Sequence, residues 1–411
     1  MIRLKEGREK VRVLQITAFS GWGCTGRIAV GIHKAVKAHG HESAIAWGRI
    51  NTALDSVQTI KIGNGIDQKL HGLYTRITDK CGFASIEATK AFIKKVDEYN
   101  PDIIQMHILH GYYINLEILF NYIYERKIPV VWTFHDCWAF TGHCPYFDYV
   151  QCEKWKTGCY NCQQKSHHPT SWLLDNSKWN WNKKKELFTK QNMTIVTPSE
   201  WLAGLVKESF LKNCKVTVIN NGINLNDFKP TTGLLIKKFG LNDKKIVLGV
   251  SSTWVKSKGL EDFYALANIL SEEYQVMLVG LSKKQISVLP SNIVGVERTD
   301  SVQQLAELYT AATVFVNPTY EDNYPTTNLE AIACGTPVVT YQTGGSTEIV
   351  EKSGMGFIVK QGDIIGLKNA VLGADKNVCR HLNLYELCSQ EYAFEKYVEL
   401  YSDILKRQER L

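Results

Sequence analysis

The sequence predicts an α/β protein built from two doubly wound parallel sheets. Three observations lead there. Short β-branched runs alternate with longer amphipathic stretches, the pattern left by strands joined through crossover helices. The alternation comes as two series, separated by a polar stretch marked by Pro and Gly near residues 220–232. The length, 411 residues, at roughly 150 per domain argues for two or three domains.

The first series consists of residues 11–17, 43–47, 103–107, 130–134, 194–197 and 216–219, and the second of 246–250, 275–279, 314–317 and 337–340. Between them lie Asn220-Asn221-Gly222, then Phe228-Lys229-Pro230 and two threonines. We therefore expect a first domain over 1–229 and a second over 230–391, joined by a linker short enough that they face each other across a cleft. From about 140 to 182 the alternation lapses into Cys, His, Trp and Lys, which reads as an insertion in the first domain. Residues 392–411 place Tyr392, Tyr397, Leu400, Tyr401, Ile404 and Leu405 on one helical face, a terminal helix packed on a core.

Composition narrows the class. Hydrophobic residues at 44% and charged residues at 22% are ordinary globular usage, which excludes disordered, collagen-like and coiled-coil descriptions. Forty-eight Lys+Arg against 41 Asp+Glu leave +7, too small over this length to imply nucleic-acid binding. It suits an anionic ligand or a lipid surface. The charged start and the lack of an apolar run near 18 residues make the cytoplasm the expected compartment. Eleven cysteines are then expected as thiols or metal ligands.

Two motifs carry chemistry. Gly21-Trp22-Gly23-Cys24-Thr25-Gly26 fits the dinucleotide fingerprint, yet several residues separate it from the expected strand end at Thr17, and Gly48-Arg49 stands where a ribose-binding acid belongs. A glycine turn before a helix, with Gly23 at its centre, still offers N–H groups to an anion. The run from Glu321 to Pro337 places acids beside a short helix at the carboxyl end of a strand, where open α/β sheets bind ligands. Thr327 and Glu330 also fit a capping box, in which Glu330 only satisfies a backbone donor.

Val218-Ile219-Asn220-Asn221-Gly222-Ile223-Asn224 with Phe228 and Pro230 resembles the signature of family 4 glycosyltransferases. Lys258-Gly259-Leu260, Asp322 and Glu330 at their spacing, Cys334-Gly335-Thr336-Pro337 and Gly344-Gly345 with Glu348 follow in that family's order, over nearly the whole chain. The resemblance implies the GT-B fold of two Rossmann-like domains, with a terminal helix returning to the first. It implies a nucleotide-diphosphate sugar as donor, a saccharide or lipid-linked saccharide as acceptor, retention of configuration, and no catalytic metal. On that resemblance Glu330 binds the ribose, Asp322 sits near the transferred sugar, and Lys258 neutralises the diphosphate. The backbone of Thr326, Thr327, Asn328 and Leu329, beside Asn323, meets sugar and diphosphate. His135 contacts the donor sugar, or is a polar loop histidine. Thr253 stands where the family has an arginine, leaving Lys256 or a first-domain group to supply the second cation. A role in surface-polysaccharide assembly is implied by the resemblance as well.

Cys144, Cys152, Cys159 and Cys162 put four sulfurs within one loop and end in C-x2-C. They read as ligands of one structural zinc, as free thiols or as disulfides. Trp172, Trp179 and Trp181 with Lys183-Lys184-Lys185 read as a surface resting on the inner face of an anionic membrane, or as an ordinary helix with partly buried tryptophans. Two rivals stand beside the transferase: an NAD(P)-dependent oxidoreductase built on Gly21 to Gly26, and a zinc-stabilised binding module.

Overall fold

The structure is a computed structural model that describes residues 10–232, 239–241, 243–374 and 383–408. The charged start that suggested a compartment lies outside them. Two compact units emerge, one of Met1–Ile219 with Phe394–Leu411 and one of Asn220–Ala393.

The first unit carries β1 (Arg12–Ser20), β2 (Glu42–Asn51), β3 (Thr59–Lys61), β4 (Ile103–Met106), β5 (Val130–Thr133), β6 (Met193–Thr197) and β7 (Lys215–Val218). Their order is β3-β2-β1-β4-β5-β6-β7, and every pairing is parallel. Strands β4 and β5 are buried throughout, as strands covered on both faces must be. The helices are α1 (Gly23–Ala38), α2 (Gly65–Thr78), α3 (Ile86–Tyr99), α4 (Leu116–Arg126), α5 (Ser177–Phe188) and α6 (Glu200–Glu208). The last helix, Gln390–Gln408, docks on this sheet: Tyr401 Oη donates to Gln105 Oε1 at 2.9 Å, and Tyr397 Oη lies 3.0 Å from Thr133 Oγ1.

The second unit carries β8 (Lys245–Val250), β9 (Tyr274–Val279), β10 (Ile293–Val296), β11 (Val314–Asn317), β12 (Val338–Tyr341) and β13 (Gly356–Val359), ordered β10-β9-β8-β11-β12-β13 and all parallel. Both orders reverse direction once, between β1 and β4 and between β8 and β11. That switch point opens a crevice at the carboxyl ends of its strands. The short strands β3, β10 and β13 escape the periodicity of the sequence, each being a sheet edge and only partly buried.

Two expectations change. Strand β1 runs to Ser20, so the glycine turn follows it directly. The segment expected as an insertion without a core of its own is strand-free, with the short 3-10 turn Lys154–Lys156, and contributes to the main core. Phe140, Phe147 and Trp155 are buried in it, with ring centroids 4.8 Å apart for Phe147 and Trp155. Trp181 and Lys184 are also buried, and Lys183 is paired with Glu117, so α5 is no basic surface helix. The Lys184 ammonium survives burial by donating to the carbonyls of Trp138 and Thr141 at 2.7 and 3.1 Å. Among the described residues no helix is long and apolar enough to cross a membrane.

Candidate active site

In the second unit the loops leaving β8 and β11 are stitched together. Tyr320 N–H donates to Ser257 O at 2.8 Å and Thr319 Oγ1 donates to the same carbonyl at 3.3 Å. Lys258 ends the 3-10 turn Lys256–Lys258, and Gly259 follows at φ +72°. A Cβ there would lie 2.2 Å from Pro318 O, so only glycine lets the two loops approach. Lys258 Nζ then reaches Asp322 Oδ2 at 2.8 Å, Glu321 O at 3.0 Å and Thr319 Oγ1 at 3.3 Å. The result is one ammonium held over the carboxyl ends of both switch-point strands. Lys256 does not join it, lying 3.9 Å from exposed Glu261, and Thr253 sits exposed in a turn closed by Ser251.

The helix Thr326–Ala333 begins one residue after Pro325, and no side chain caps it. Glu330 is therefore in its second turn, beyond the N3 position of a capping box, and that reading of Thr327 and Glu330 is overturned. Glu330 Oε2 instead accepts the buried Tyr309 hydroxyl at 2.9 Å. Burial first, and the facing carboxylate second, push the Tyr309 phenol well above its ordinary pKa, so it stays a donor. Asn328 and Leu329 turn fully inward, with Asn328 Oδ1 accepting from Asn317 Nδ2 at 2.8 Å. Those two can offer a ligand only main-chain atoms. Thr326 and Thr327 are half-buried, and Asn323 is buried with its carbonyl accepting Gly345 N–H at 2.9 Å.

In the first unit His135 stands two residues beyond β5, half-buried. Its Nε2 lies 3.2 Å from His107 Nδ1, and His107 Nε2 lies 3.1 Å from Gln15 Oε1. Gln15 Nε2 donates to Ala29 O at 2.8 Å, which fixes the amide with its oxygen toward the ring. His107 must then donate from Nε2 and accept at Nδ1, and His135 must donate from Nε2 and carry its lone pair on Nδ1. The ring centroids are 5.4 Å apart with planes 26° apart, the spacing of two imidazoles joined edge to edge. Burial lowers the pKa of His135 to about 4 and that of His107 well below 6.5, so both rings are neutral near pH 7. Beside them His110 Nε2 meets Asp136 Oδ2 at 3.3 Å. Burial works against the Asp136 carboxylate, but His110 and the Trp138 N–H outweigh it and hold the pKa below the ordinary value.

Gly21 has φ +73°, and a Cβ on it would lie 2.7 Å from Ala53 N; Gly23, at φ +66°, opens α1. The turn is thus a tight strand-to-helix junction, without the gap expected after Thr17, but β2 ends at Asn51 rather than at an acid.

The profile described as Glycosyltransferase Family 4 matches residues 25–227, and that of Glycosyl transferases group 1 matches 244–376. The chain belongs to glycosyltransferase family 4. This membership replaces the oxidoreductase and binding-module alternatives.

The glycosyltransferase is 24% identical over 275 residues to WcaC of Escherichia coli, a protein named for colanic acid biosynthesis, covering 65% of this chain and 66% of that one. It is 27% identical over 216 residues to the N,N'-diacetylbacillosaminyl-diphospho-undecaprenol alpha-1,3-N-acetylgalactosaminyltransferase of Campylobacter jejuni, covering 48% and 56%. It therefore spans between half and two thirds of these relatives. Among solved structures, sucrose-phosphate synthase from Thermosynechococcus elongatus superposes with TM-score 0.71 at 18% identity, over 97% of this chain and all of that one. Anabaena HepE in complex with UDP and glucose superposes with TM-score 0.64 at 16% identity, over 95% and 99%. The fold is that of the GT-B enzymes.

Four contributors of the glycosyltransferase escaped the sequence reading: Gln15, His107, His110 and Tyr309. The spacing of His107 and His110 just after a switch-point strand is a usable signal. Gln15 and Tyr309 leave none, because their partners are remote in the chain.

None of the four loop cysteines is in a disulfide. Cys144 shares a hydrogen bond with Cys162, and Gly142 N–H donates to Cys159 Sγ at 3.1 Å. Among the described residues no three His, Cys, Asp or Glu side chains are arranged to hold a metal ion.

Proposed function

We propose that the protein transfers a sugar, with retention of configuration, from a nucleotide-diphosphate donor to a saccharide or lipid-linked saccharide during assembly of a surface polysaccharide. The observation that carries this reading is Lys258, the ammonium fixed across the β8 and β11 loops by Asp322, Glu321 and Thr319. A diphosphate gains charge as its bond to the sugar breaks, so a cation held there favours the transition state over the ground state. Glu330, oriented by Tyr309, receives the ribose hydroxyls. The N–H groups of Thr326 and Thr327, in the first turn of a helix, face the phosphates. His135 accepts a sugar hydroxyl at Nδ1.

The acceptor hydroxyl attacks the anomeric carbon on the face from which the diphosphate leaves. The new C–O bond forms as the old one breaks, and the hydroxyl proton passes to the departing phosphate oxygen. No metal ion is needed for this step. The relatives support the substrate class: WcaC is named for colanic acid, and the Campylobacter enzyme for an undecaprenol-linked acceptor. HepE binds UDP and glucose, which makes UDP-sugars the first donors to assay. A cytoplasmic location, where such donors are made, completes the reading.

The loop of Cys144, Cys152, Cys159 and Cys162 is read as a structural zinc site on the chemistry of its four sulfurs. Among the described residues the four sulfurs are not drawn together around one point, so zinc has to gather them as it binds, and it enters no step of the reaction.

The test is mass spectrometry of products from purified protein, a panel of sugar nucleotides and lipid-linked acceptors, with the anomeric configuration read by NMR. An α-linked product from an α-linked donor is expected. Inversion, or hydride transfer with NAD(P), would overturn the proposal.

A further inference from the structure

Helix α2 is built inside out. Its aliphatic residues Ile66, Leu70, Leu73 and Ile77 recur at the spacing of one helical stripe, which in an ordinary surface helix faces the core. Here they are 69%, 60%, 47% and 38% exposed, while the buried face holds His71, Gly72 and Thr75. The inversion is pinned by specific bonds. Gly82 N–H donates to His71 Nε2 at 3.1 Å, and His71 Nδ1 in turn donates to Ser85 Oγ at 2.7 Å. Asn64 and Asp67 close a capping box at the start of the helix. Nothing about this orientation is loose.

The apolar stripe does not stop at the helix. Trp172 N–H donates to Arg76 O at 2.6 Å and Leu174 N–H to Ile77 O at 3.2 Å, which lashes residues 172–174 along its last turn. Trp172, Leu173 and Leu174 are each more than half exposed. Contiguous exposed apolar surface of this kind marks an interaction site.

Its rim is cationic. The Arg76 guanidinium lies 5.5 Å from the Trp172 ring, Lys80 Nζ lies 4.2 Å from the half-exposed Trp179 ring, Lys69 is exposed on the aliphatic face, and Lys165 Nζ sits on Leu173 O at 3.2 Å. The neighbouring acids are occupied locally. Asp67 accepts Asn64 N–H, Asp79 is buried against His143 and the Asn176 N–H, and Asp175 accepts from Cys162 and Ser177. Aliphatic residues flanked by tryptophans and by cations that pair with no acid among the described residues complement an anionic bilayer, whose headgroups meet the cations while the acyl boundary takes the side chains.

We propose that the exposed face of α2, with residues 172–174, docks the protein on an anionic lipid bilayer. The surface goes beyond the transfer reading and does not depend on it, so it is tested without substrate.

The experiment is co-sedimentation of the full chain with vesicles of phosphatidylcholine containing one quarter phosphatidylglycerol, and with pure phosphatidylcholine. Binding to the anionic vesicles that weakens with salt is expected. Leu70→Asp with Leu173→Asp should lower partitioning at least about 10-fold, Lys69→Gln with Arg76→Gln should abolish the preference for anionic lipid, and Val288→Asp, an exposed valine of the other unit, should change nothing. Because the replaced side chains are exposed, or in Arg76 half-buried, melting temperatures should match the parent within about 2 °C. Failure to bind anionic vesicles would overturn the proposal, as would binding that survives the α2 substitutions. So would a dimer, abolished by Leu70→Asp, that forms while vesicles are ignored, since the face would then belong to a second copy of the chain.

Discussion

His107 accepts at Nδ1 from His135 Nε2 across 3.2 Å, and the direction of that bond is set by Gln15 on the far side of the His107 ring. Three side chains from β1 and the loops after β4 and β5 thus decide which nitrogen His135 offers. His107→Phe should keep the packing but release the tautomer, lowering kcat about 10-fold or more with donor KM little changed. His107→Gln, which restores an acceptor, should recover part of the loss. Equal losses in both variants, with lowered melting temperatures, would mean that the line is merely structural.

The histidines also set the response to acid. His33 and His135 have pKa values near 4 and His71 near 3, each lowered chiefly by burial from 6.5. Above pH 6.5 these groups are neutral in both folded and unfolded chains. Below it the unfolded chain takes up protons that the folded one refuses, so stability falls as pH drops from 6.5 toward 4. His143 opposes this, because the Asp79 carboxylate outweighs burial and raises its pKa. It is one group against several. Urea midpoints at pH 7.5, 6 and 5 should decrease in that order.

Lys258→Ala should lower turnover at least about 100-fold, the effect of removing a charge aimed at a leaving group. Stability should change little, since Lys258 and Asp322 are 32% and 23% exposed and such pairs contribute about 1 kcal/mol or less. Near-normal turnover in the folded variant would remove Lys258 from the donor site.

Because no side chain caps the start of the helix Thr326–Ala333, Glu330→Gln and Glu330→Ala should both retain it. A carboxylate makes the stronger hydrogen bonds to paired hydroxyls, so Glu330→Gln should weaken nucleotide binding by about 10-fold, or about 1.4 kcal/mol. Tyr309→Phe, which removes one donor to the carboxylate and leaves its charge, should cost less. Calorimetric titration with the nucleotide distinguishes these outcomes, and unaltered affinity in Glu330→Gln would move the ribose site elsewhere.

Elemental analysis of protein purified without added metal should give about one zinc per chain, lost when Cys159 and Cys162 are both replaced by serine. Metal-free protein with an equally protease-resistant loop would leave the four cysteines as thiols.

Much of the architecture was legible in the residues themselves. Alternation of β-branched runs with amphipathic stretches specifies parallel sheets, because each strand needs a crossover helix before its neighbour, and the burial of both sheet faces shows as apolar runs. Lys258 with Gly259, and Asp322 with Glu330, were visible through the resemblance to the family's ordered motifs, whereas the loop and short helix from Glu321 to Pro337 were legible from the residues themselves. What the tertiary structure alone decided is which side of each element meets the core. The stripe of Ile66, Leu70, Leu73 and Ile77 has the period of a core-facing helix, and it faces outward because His71 finds Gly82 and Ser85. Lys184 reads as a surface residue and Trp181 as a membrane-facing or partly buried one, and both are buried. Gln15, His107 and His135, like Tyr309 and Glu330, become partners only when strands and helices remote in sequence are laid side by side. Periodicity records that a helix has two faces; what packs against it selects the one that is hidden.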